Sequence, residues 1–505
     1  MKVVFKSYTP NQTLLLPPSL EELIEANHPV RTVNSVIDQL DLSLLEKEYQ
    51  GGGASSYHPR MLLKVLVYGY LSNVYSSRRL EAGCKENIHL MWLSGMSTPD
   101  HNTINRFRGE RLKNVIKEVF SKVVILLHES GHVSLKEVYV DGTKIEANAN
   151  RYTFVWGNAI RTSRERIKTQ LAELWDYTQK VAAEELKDTA PVSFEKIDAE
   201  KVKQTVEQID QALRDKPVNK KVKQKINYAR KNWPDALNKY DEQEKILGPR
   251  NSYSKTDTDA TFMRMKEDHM NNGQLKPGYN LQISTEHQYI VNYTLHHQPT
   301  DTTTLHEHLE SFENTCHTLP LELTADAGYG SEENYKLLEE KQITAYVKDQ
   351  YFDRDQSDKT KNLFHPSQLH YNKEKDCYYC PMGQQMHNIG TVKKKTANGF
   401  EQTITRYQAQ RCQGCPLRGQ CHKAEANRII EVNHNLNRLK NQARENLKSE
   451  KGLYHRSKRP VDVEPVFANI KHNKNFKRYL LRGKKKVTIE TGLLAIAHNL
   501  KKMAA

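Results

Sequence analysis

Apolar positions in the first 130 residues recur at helical spacing. Val33, Val36, Ile37 and Leu40 form one stripe, and Leu62, Leu63, Leu66, Val67 and Tyr70 a second. Gly51-Gly52-Gly53 marks a break between them. The pattern predicts a further helix starting at Thr98-Pro99, with Thr98 as N-cap and Pro99 in the first helical position. That helix carries Asn102, Arg106, Arg108 and Arg111. Such a set is either a solvated face or a recognition helix set in a DNA groove.

From about residue 133 the period changes to two. Val138 and Val140 alternate with Tyr139 and Asp141, and Asp141-Gly142 reads as a tight turn at the strand end. Residues 161–249 interrupt with charged helices. Their stripes are Ile167, Leu171, Leu174 and Val181; Val202, Val206, Ile209 and Leu213; and Val222, Ile226, Ala229 and Trp233. Gly248-Pro249 closes this insertion. Strands return at 279–283, 287–296, 321–326 and 343–347, with a helix over 302–316. Strands alternating with helices imply an α/β fold with a mixed sheet. A polar, cysteine-bearing insertion occupies 351–453, and a basic helical region follows.

A length of 505 residues implies several units. The divisions expected are 1–130, helical and DNA-binding; 131–160 and 250–350, two parts of the core; 161–249, the helical insertion; 351–453, the cysteine-rich insertion; and 454–505, the closing helical part. No apolar run reaches the length of a membrane span, and the first twenty residues lack a secretory pattern. The expected location is the cytoplasm, at the nucleoid, with no membrane partner. The formal charge of +15 favours an anionic partner, and nucleic acid is the usual one. Five of the seven cysteines fall between 377 and 421, which favours a metal site over disulfides.

Three carboxylates stand out by context. Asp141 lies at a strand end before Gly, and Asp326 ends the 321–326 strand ahead of Ala327-Gly328-Tyr329. Glu464 lies near a helix start in Val463-Glu464-Pro465. Each alone suits a turn, a cap or a helix dipole. Together they suit phosphodiester chemistry, where two divalent ions about 3.5–4 Å apart stabilise the attacking and leaving oxygens. Mg²⁺ fits such a site because it binds through few carboxylates and keeps water and substrate oxygens.

Tyr139 to Asn148, Leu323 to Tyr329, and Val463 to Phe467 followed by Ile470 to Asn473 resemble the three acidic motifs of DDE transposases of the bacterial insertion-sequence type. Phe476 to Gly483 and Ala497 to Leu500 extend the resemblance. It implies an RNase H-like fold in which Asp141, Asp326 and Glu464 hold two Mg²⁺ ions and cut DNA. Lys471, seven residues past Glu464, would contact the DNA backbone from nearly the same helix face. Relatives place Tyr and Arg seven and four residues before the Glu. Here those positions hold Ser457 and Pro460, leaving Arg459 as the better candidate to position phosphate.

Five clustered cysteines compete for four places in a structural Zn²⁺ site. The resemblance extends to a transposase subgroup with such a cluster and selects Cys380, Cys412, Cys415 and Cys421. His306 and His308 diverge on a helix and read as structural. From Lys471 to Lys486 no acid interrupts a run of cations that includes Lys477, Arg478 and Arg482, read as DNA contacts with Arg106 and Arg108. The expected partners are double-stranded DNA, at terminal inverted repeats and target, and a second copy in a homodimer on paired ends. Competing readings are a non-catalytic DNA-binding derivative and an RNase H-type nuclease.

Overall fold

The computed structural model describes residues 18–49, 56–185, 193–265, 275–356, 362–396 and 398–505. The break at Gly51-Gly52-Gly53 lies outside them.

Both N-terminal stripes fold as helices, α1 (Pro29–Gln39) and α2 (Pro59–Leu71). Each starts on proline, and the preceding His28 or His58 accepts a hydrogen bond from an N–H of the first turn. The next predicted helix starts later than Thr98. In α3 (His101–Gly109) the cap is Asp100, whose carboxylate takes the N–H groups of Asn102 and Thr103 at 2.7 and 2.9 Å. A carboxylate accepting two first-turn donors outcompetes the Thr-Pro pair upstream. Helix α4 (Ile116–Glu129) then leads into the sheet.

Strand β1 (Glu137–Glu146) runs straight through Asp141-Gly142, so the expected turn is absent. Cross-strand pairing overrides the local Asp-Gly preference: Asp141 faces Ile283 and Gly142 faces Gln282 on antiparallel β2 (Leu275–Glu286). Gly142 is closely packed by two side chains. A Cβ there would lie 2.2 Å from Gln282 Nε2 and 2.6 Å from Asp301 Oδ1. Between β1 and β2 the chain builds α5 (Gly157–Val181), α6 (Ala199–Ala212) and α7 (Lys220–Leu247). Leu171, Trp175, Val206, Ile209, Trp233 and Leu237 give these helices a core of their own.

Strand β3 (Tyr289–His296) pairs antiparallel with β2, and α8 (Leu305–Cys316) covers it. Then β4 (Glu322–Ala325), α9 (Glu332–Glu340) and β5 (Thr344–Val347) add two parallel strands. The sheet order is β3–β2–β1–β4–β5, with Thr261–Arg264 also on β2. A sheet antiparallel on one side of β1 and parallel on the other is the RNase H-like arrangement.

The cysteine-bearing segment forms a five-stranded antiparallel meander from Tyr371 to Val432, with Tyr378, Met386, Tyr407 and Ile430 inside. Helix α10 (His434–Lys448) then meets α11 (Glu450–Ala468) at Gly452, where a Cβ would lie 2.0 Å from Asn446 O. Glu464 is therefore well inside a helix rather than near its start, and α11 accommodates both Pro460 and Pro465. A π-helical turn over Asn469–Asn473 follows, then α12 (Lys484–Met503), buried from Val487 to Leu500. One continuous core joins α1, α2, α4, the sheet and α12.

Candidate active site

Side chains alternate across β1, so Glu137, Tyr139 and Asp141 share the face covered by α11. Parallel β4 sets Glu322 beside Glu137 and Thr324 beside Tyr139. Asp326, one residue past β4, caps a single 3₁₀ turn (Ala327–Tyr329) by accepting the Gly328 N–H at 2.8 Å. The end of a parallel strand at the middle of a sheet is where α/β folds bind ligands.

Arg459 of α11 joins the two aspartates. Its Nη2 lies 2.9 Å from Asp141 Oδ2 and 3.8 Å from Asp326 Oδ2. Asp141 is buried, and its other oxygen accepts the Gly142 N–H at 2.7 Å. Two acids 185 positions apart in the chain thus share one cation. Glu464 stands on the same helix but is exposed and makes no hydrogen bond or ion pair with a described residue. Arg459, Asp462, Val463 and Val466 turn toward the sheet instead, with the last three buried. The structure thus brings together two of the three predicted acids, and the third adjoins them through its helix.

A third carboxylate at this end of the sheet escaped the sequence reading. Asp301 Oδ1 accepts from Asn280 Nδ2 at 2.8 Å and Gln282 Nε2 at 2.7 Å, while Oδ2 faces Gly328. The Thr302 hydroxyl donates to Gly328 O at 2.9 Å, and the Tyr329 hydroxyl donates to Gln282. Burial, followed by the charges of Asp301, Asp141 and Asp326, holds the Tyr329 phenol far above its ordinary pKa. Tyr329 is therefore a fixed neutral donor that secures the turn carrying Asp326. No local signal marks Asp301; the two glycines it crowds, Gly142 and Gly328, lie far from it in sequence.

Four residues before Asp141 lies a second polar group, also missed. Glu137, Glu322 and His455 bring their ligand atoms within 4.8 Å of one another. His455 Nε2 is 2.8 Å from Glu322, and its Nδ1 is 3.1 Å from the Tyr139 hydroxyl. Although these residues could hold a metal ion, Lys451 already bridges both glutamates and supplies the balancing charge.

The remaining predicted contacts divide by exposure. Arg106, Lys477, Arg478 and Arg482 are exposed. Arg108 is 3 % exposed and donates to Tyr75 O at 2.7 Å, beside Tyr70, so it presents no surface to DNA. Lys471 is 7 % exposed and lies within the π-helical turn, so it does not share the exposed face of Glu464. Arg478 donates to the carbonyls of Ala147 and Ala149, and Arg482 to that of Asn148. Both brace the loop after β1.

Cys380, Cys412, Cys415 and Cys421 line one cavity of about 20 Å³ with His422 and Arg428. Neither His422 ring nitrogen has a partner. Yet among the described residues no three of these sulfurs lie within 4.8 Å of one another, and Arg428 donates to Cys421 Sγ at 2.9 Å. The thiols share a cavity without converging as a tetrahedral site requires.

Comparison with known proteins gives two matches. The family described as Transposase DDE domain matches residues 379–504, which include Arg459 and Glu464. The family described as Transposase domain (DUF772) matches residues 18–110. Neither span includes β1 to β5, so the geometry of Asp141 and Asp326 stands on the structure alone. No curated protein and no solved structure matches the chain. The chain is thus similar to transposase families at both ends, in its N-terminal helices and in the segment that carries Arg459 and Glu464.

Proposed function

We propose that the chain cuts DNA at the terminal inverted repeats of a transposable element and joins the 3′-hydroxyl to target DNA. Asp141 and Asp326 would hold two Mg²⁺ ions, with Glu464 completing the set. The observation that carries this reading is the meeting of Asp141 and Asp326 at one guanidinium. Two carboxylates held together beside the end of a parallel strand match the hard oxygen donors Mg²⁺ takes, and Arg459 supplies the positive charge there without the ion. When bound, the ions would stabilise the oxygens on either side of the phosphorus. The chain itself sets both aspartates, one by strand pairing and one by a capped turn. It also anchors the helix that carries Glu464.

The test is cleavage of duplexes carrying the element's ends, with Mg²⁺, by Asp141→Asn, Asp326→Asn and Glu464→Gln. Each should abolish cleavage while leaving DNA binding in place. Cleavage near the wild-type rate by any of them removes that residue from the site. One observation favours a non-catalytic, DNA-binding derivative: Glu464 is exposed and makes no contact with the pair, while Arg459 already offsets part of its charge. Failure of the unmodified chain to cut in Mg²⁺ or Mn²⁺ would select that reading.

Zn²⁺ at the four cysteines is supported by the shared cavity and by the unpartnered His422, whose imidazole burial holds below its ordinary pKa. Binding would require the thiols to draw in and Arg428 to withdraw. One equivalent of zinc in the purified chain supports the site, and four freely titrating thiols without zinc exclude it.

A further inference from the structure

Beside Asp326 lies a cavity of about 100 Å³ lined by Thr324, Ala325, Tyr346, Lys348, Leu447, Arg456, Arg459 and Pro460. It opens where β4 and β5 end, the crevice in which parallel sheets take ligands. Three cations line it against one acid. The Lys348 ammonium lies 3.0 Å from Asp353 Oδ2, which offsets its charge. Arg459 is shared with Asp141 and Asp326, yet its Nε is buried without a hydrogen-bond partner. Arg456 makes no hydrogen bond or ion pair with a described residue, and its guanidinium lies 5.0 Å from the centre of the Phe352 ring. A guanidinium held by an aromatic face, with its N–H groups uncommitted, is preorganised for an oxyanion.

We propose that this cavity holds one phosphodiester group of bound DNA, next to the bond positioned at Asp141 and Asp326. The inference rests on the DNA-cleaving reading for its location, but adds a subsite and two contacts, Arg456 and Lys348. The volume accommodates one tetrahedral anion. The orphan Arg459 Nε and the uncommitted Arg456 head each supply a donor that a non-bridging phosphate oxygen would satisfy. Asp326 is the one lining acid and would repel that phosphate unless its charge stays matched, by Arg459 or by a metal ion. The anion is therefore drawn to the Arg456 side of the cavity.

The test is equilibrium binding of a 30-base-pair duplex in EDTA over a salt series, which requires no catalysis and no metal. Arg456→Gln is expected to lower the slope of log affinity against log salt by about one, the signature of one lost phosphate contact. Its affinity deficit should accordingly change by about threefold over a fourfold salt range. Arg456→Lys should restore most of the slope, whereas Lys203→Gln, an exposed change on α6, should leave it at the wild-type value. Should Arg456→Gln fail to fold, Lys348→Gln reads the same cavity and should lose a similar increment. Wild-type affinity and slope in both variants would overturn the proposal. Inorganic phosphate separates a free anion from DNA. If phosphate raises the melting temperature of the wild type but not of Arg456→Gln while the DNA slope is unchanged, the cavity takes free phosphate and the DNA assignment falls. Because cleavage is never read, loss of the catalytic reading leaves these outcomes intact.

Discussion

Replacing Arg459 with Gln should destabilise the metal-free chain and strengthen its hold on a divalent cation. The guanidinium lies 2.9 Å from an Asp141 side chain that is 10 % exposed, and 3.8 Å from an Asp326 side chain that is 40 % exposed. The first contact is desolvated and the second largely screened. Removing one partner of a buried pair costs about 3–5 kcal/mol. Water reaching Arg459 and Asp326 reduces this to about 2–3 kcal/mol. The same guanidinium must leave the carboxylates before an ion can share them. If about 2 kcal/mol of attraction no longer has to be broken, cation affinity rises roughly thirtyfold. Melting in EDTA and Mn²⁺ titration by calorimetry or electron paramagnetic resonance measure the two halves. Arg459→Gln should melt lower without metal and recover more than the wild type when Mn²⁺ is added. Unchanged or weaker Mn²⁺ affinity in the variant would refute competition between the guanidinium and the ion.

Gly142→Ala forces a methyl against Gln282 and Asp301, and should cost about 1–3 kcal/mol in urea unfolding while weakening Mn²⁺ binding at the adjacent Asp141. An unchanged urea midpoint would show that the two side chains yield without strain. Lys474 donates to the carbonyls of Tyr70 and Leu71, and burial, with a smaller effect of Lys501, lowers its pKa to about 7. Its unfolded pKa is higher, so the unfolded chain binds the extra proton between the two values and stability rises with pH from about 7 to about 10. Lys474→Met should flatten that rise relative to the wild type, by up to about 1.4 kcal/mol per pH unit. Equal slopes in urea midpoints at pH 7.5 and 9 would exclude the lysine as their source. Glu490→Ala strips the acceptor from the N–H groups of Leu480 and Leu481 and from the Tyr70 hydroxyl, and should lower stability by about 2–4 kcal/mol in the same assay.

Periodicity revealed the elements whose partners are local. The α2 stripe, the three helices of the insertion and the alternation of strands with helices were all legible, because burial of a repeating face dictates them. Local pattern misled where distant pairing decides. Asp141-Gly142 has the chemistry of a turn, but Ile283 and Gln282 draw it into a ladder. Arg108 reads as a surface cation on a short polar helix, yet the carboxylate nearest its Tyr70 partner, Glu490, is 382 positions away. Lys471 follows Glu464 by two ideal turns, yet it lies in a π-helical segment and is buried while Glu464 is exposed. Asp301 lay in no motif, because its role comes from two strands and a turn meeting beside it. Asp326 does follow a strand end as its context suggested, Asp141 lies inside its strand rather than at the end, and the cation between them was assigned to DNA.

The spacing of charges on α11 explains how those aspartates are held. Lys451 and His455 sit over Glu137 and Glu322, and Arg459 sits over Asp141 and Asp326. Acids four apart on each strand thus meet cationic or imidazole groups four apart on one helix face. The first set is closed: His455 is 1 % exposed, and Glu322 is engaged by both His455 and Lys451. It fixes the register of α11 on the sheet. The second set is open at Asp326, and Arg459 there is a single cation that water can reach. A helix anchored by one permanent set can exchange the charge at the other without leaving the sheet. That exchange is what a site needs if it is to be stable without metal and still admit it.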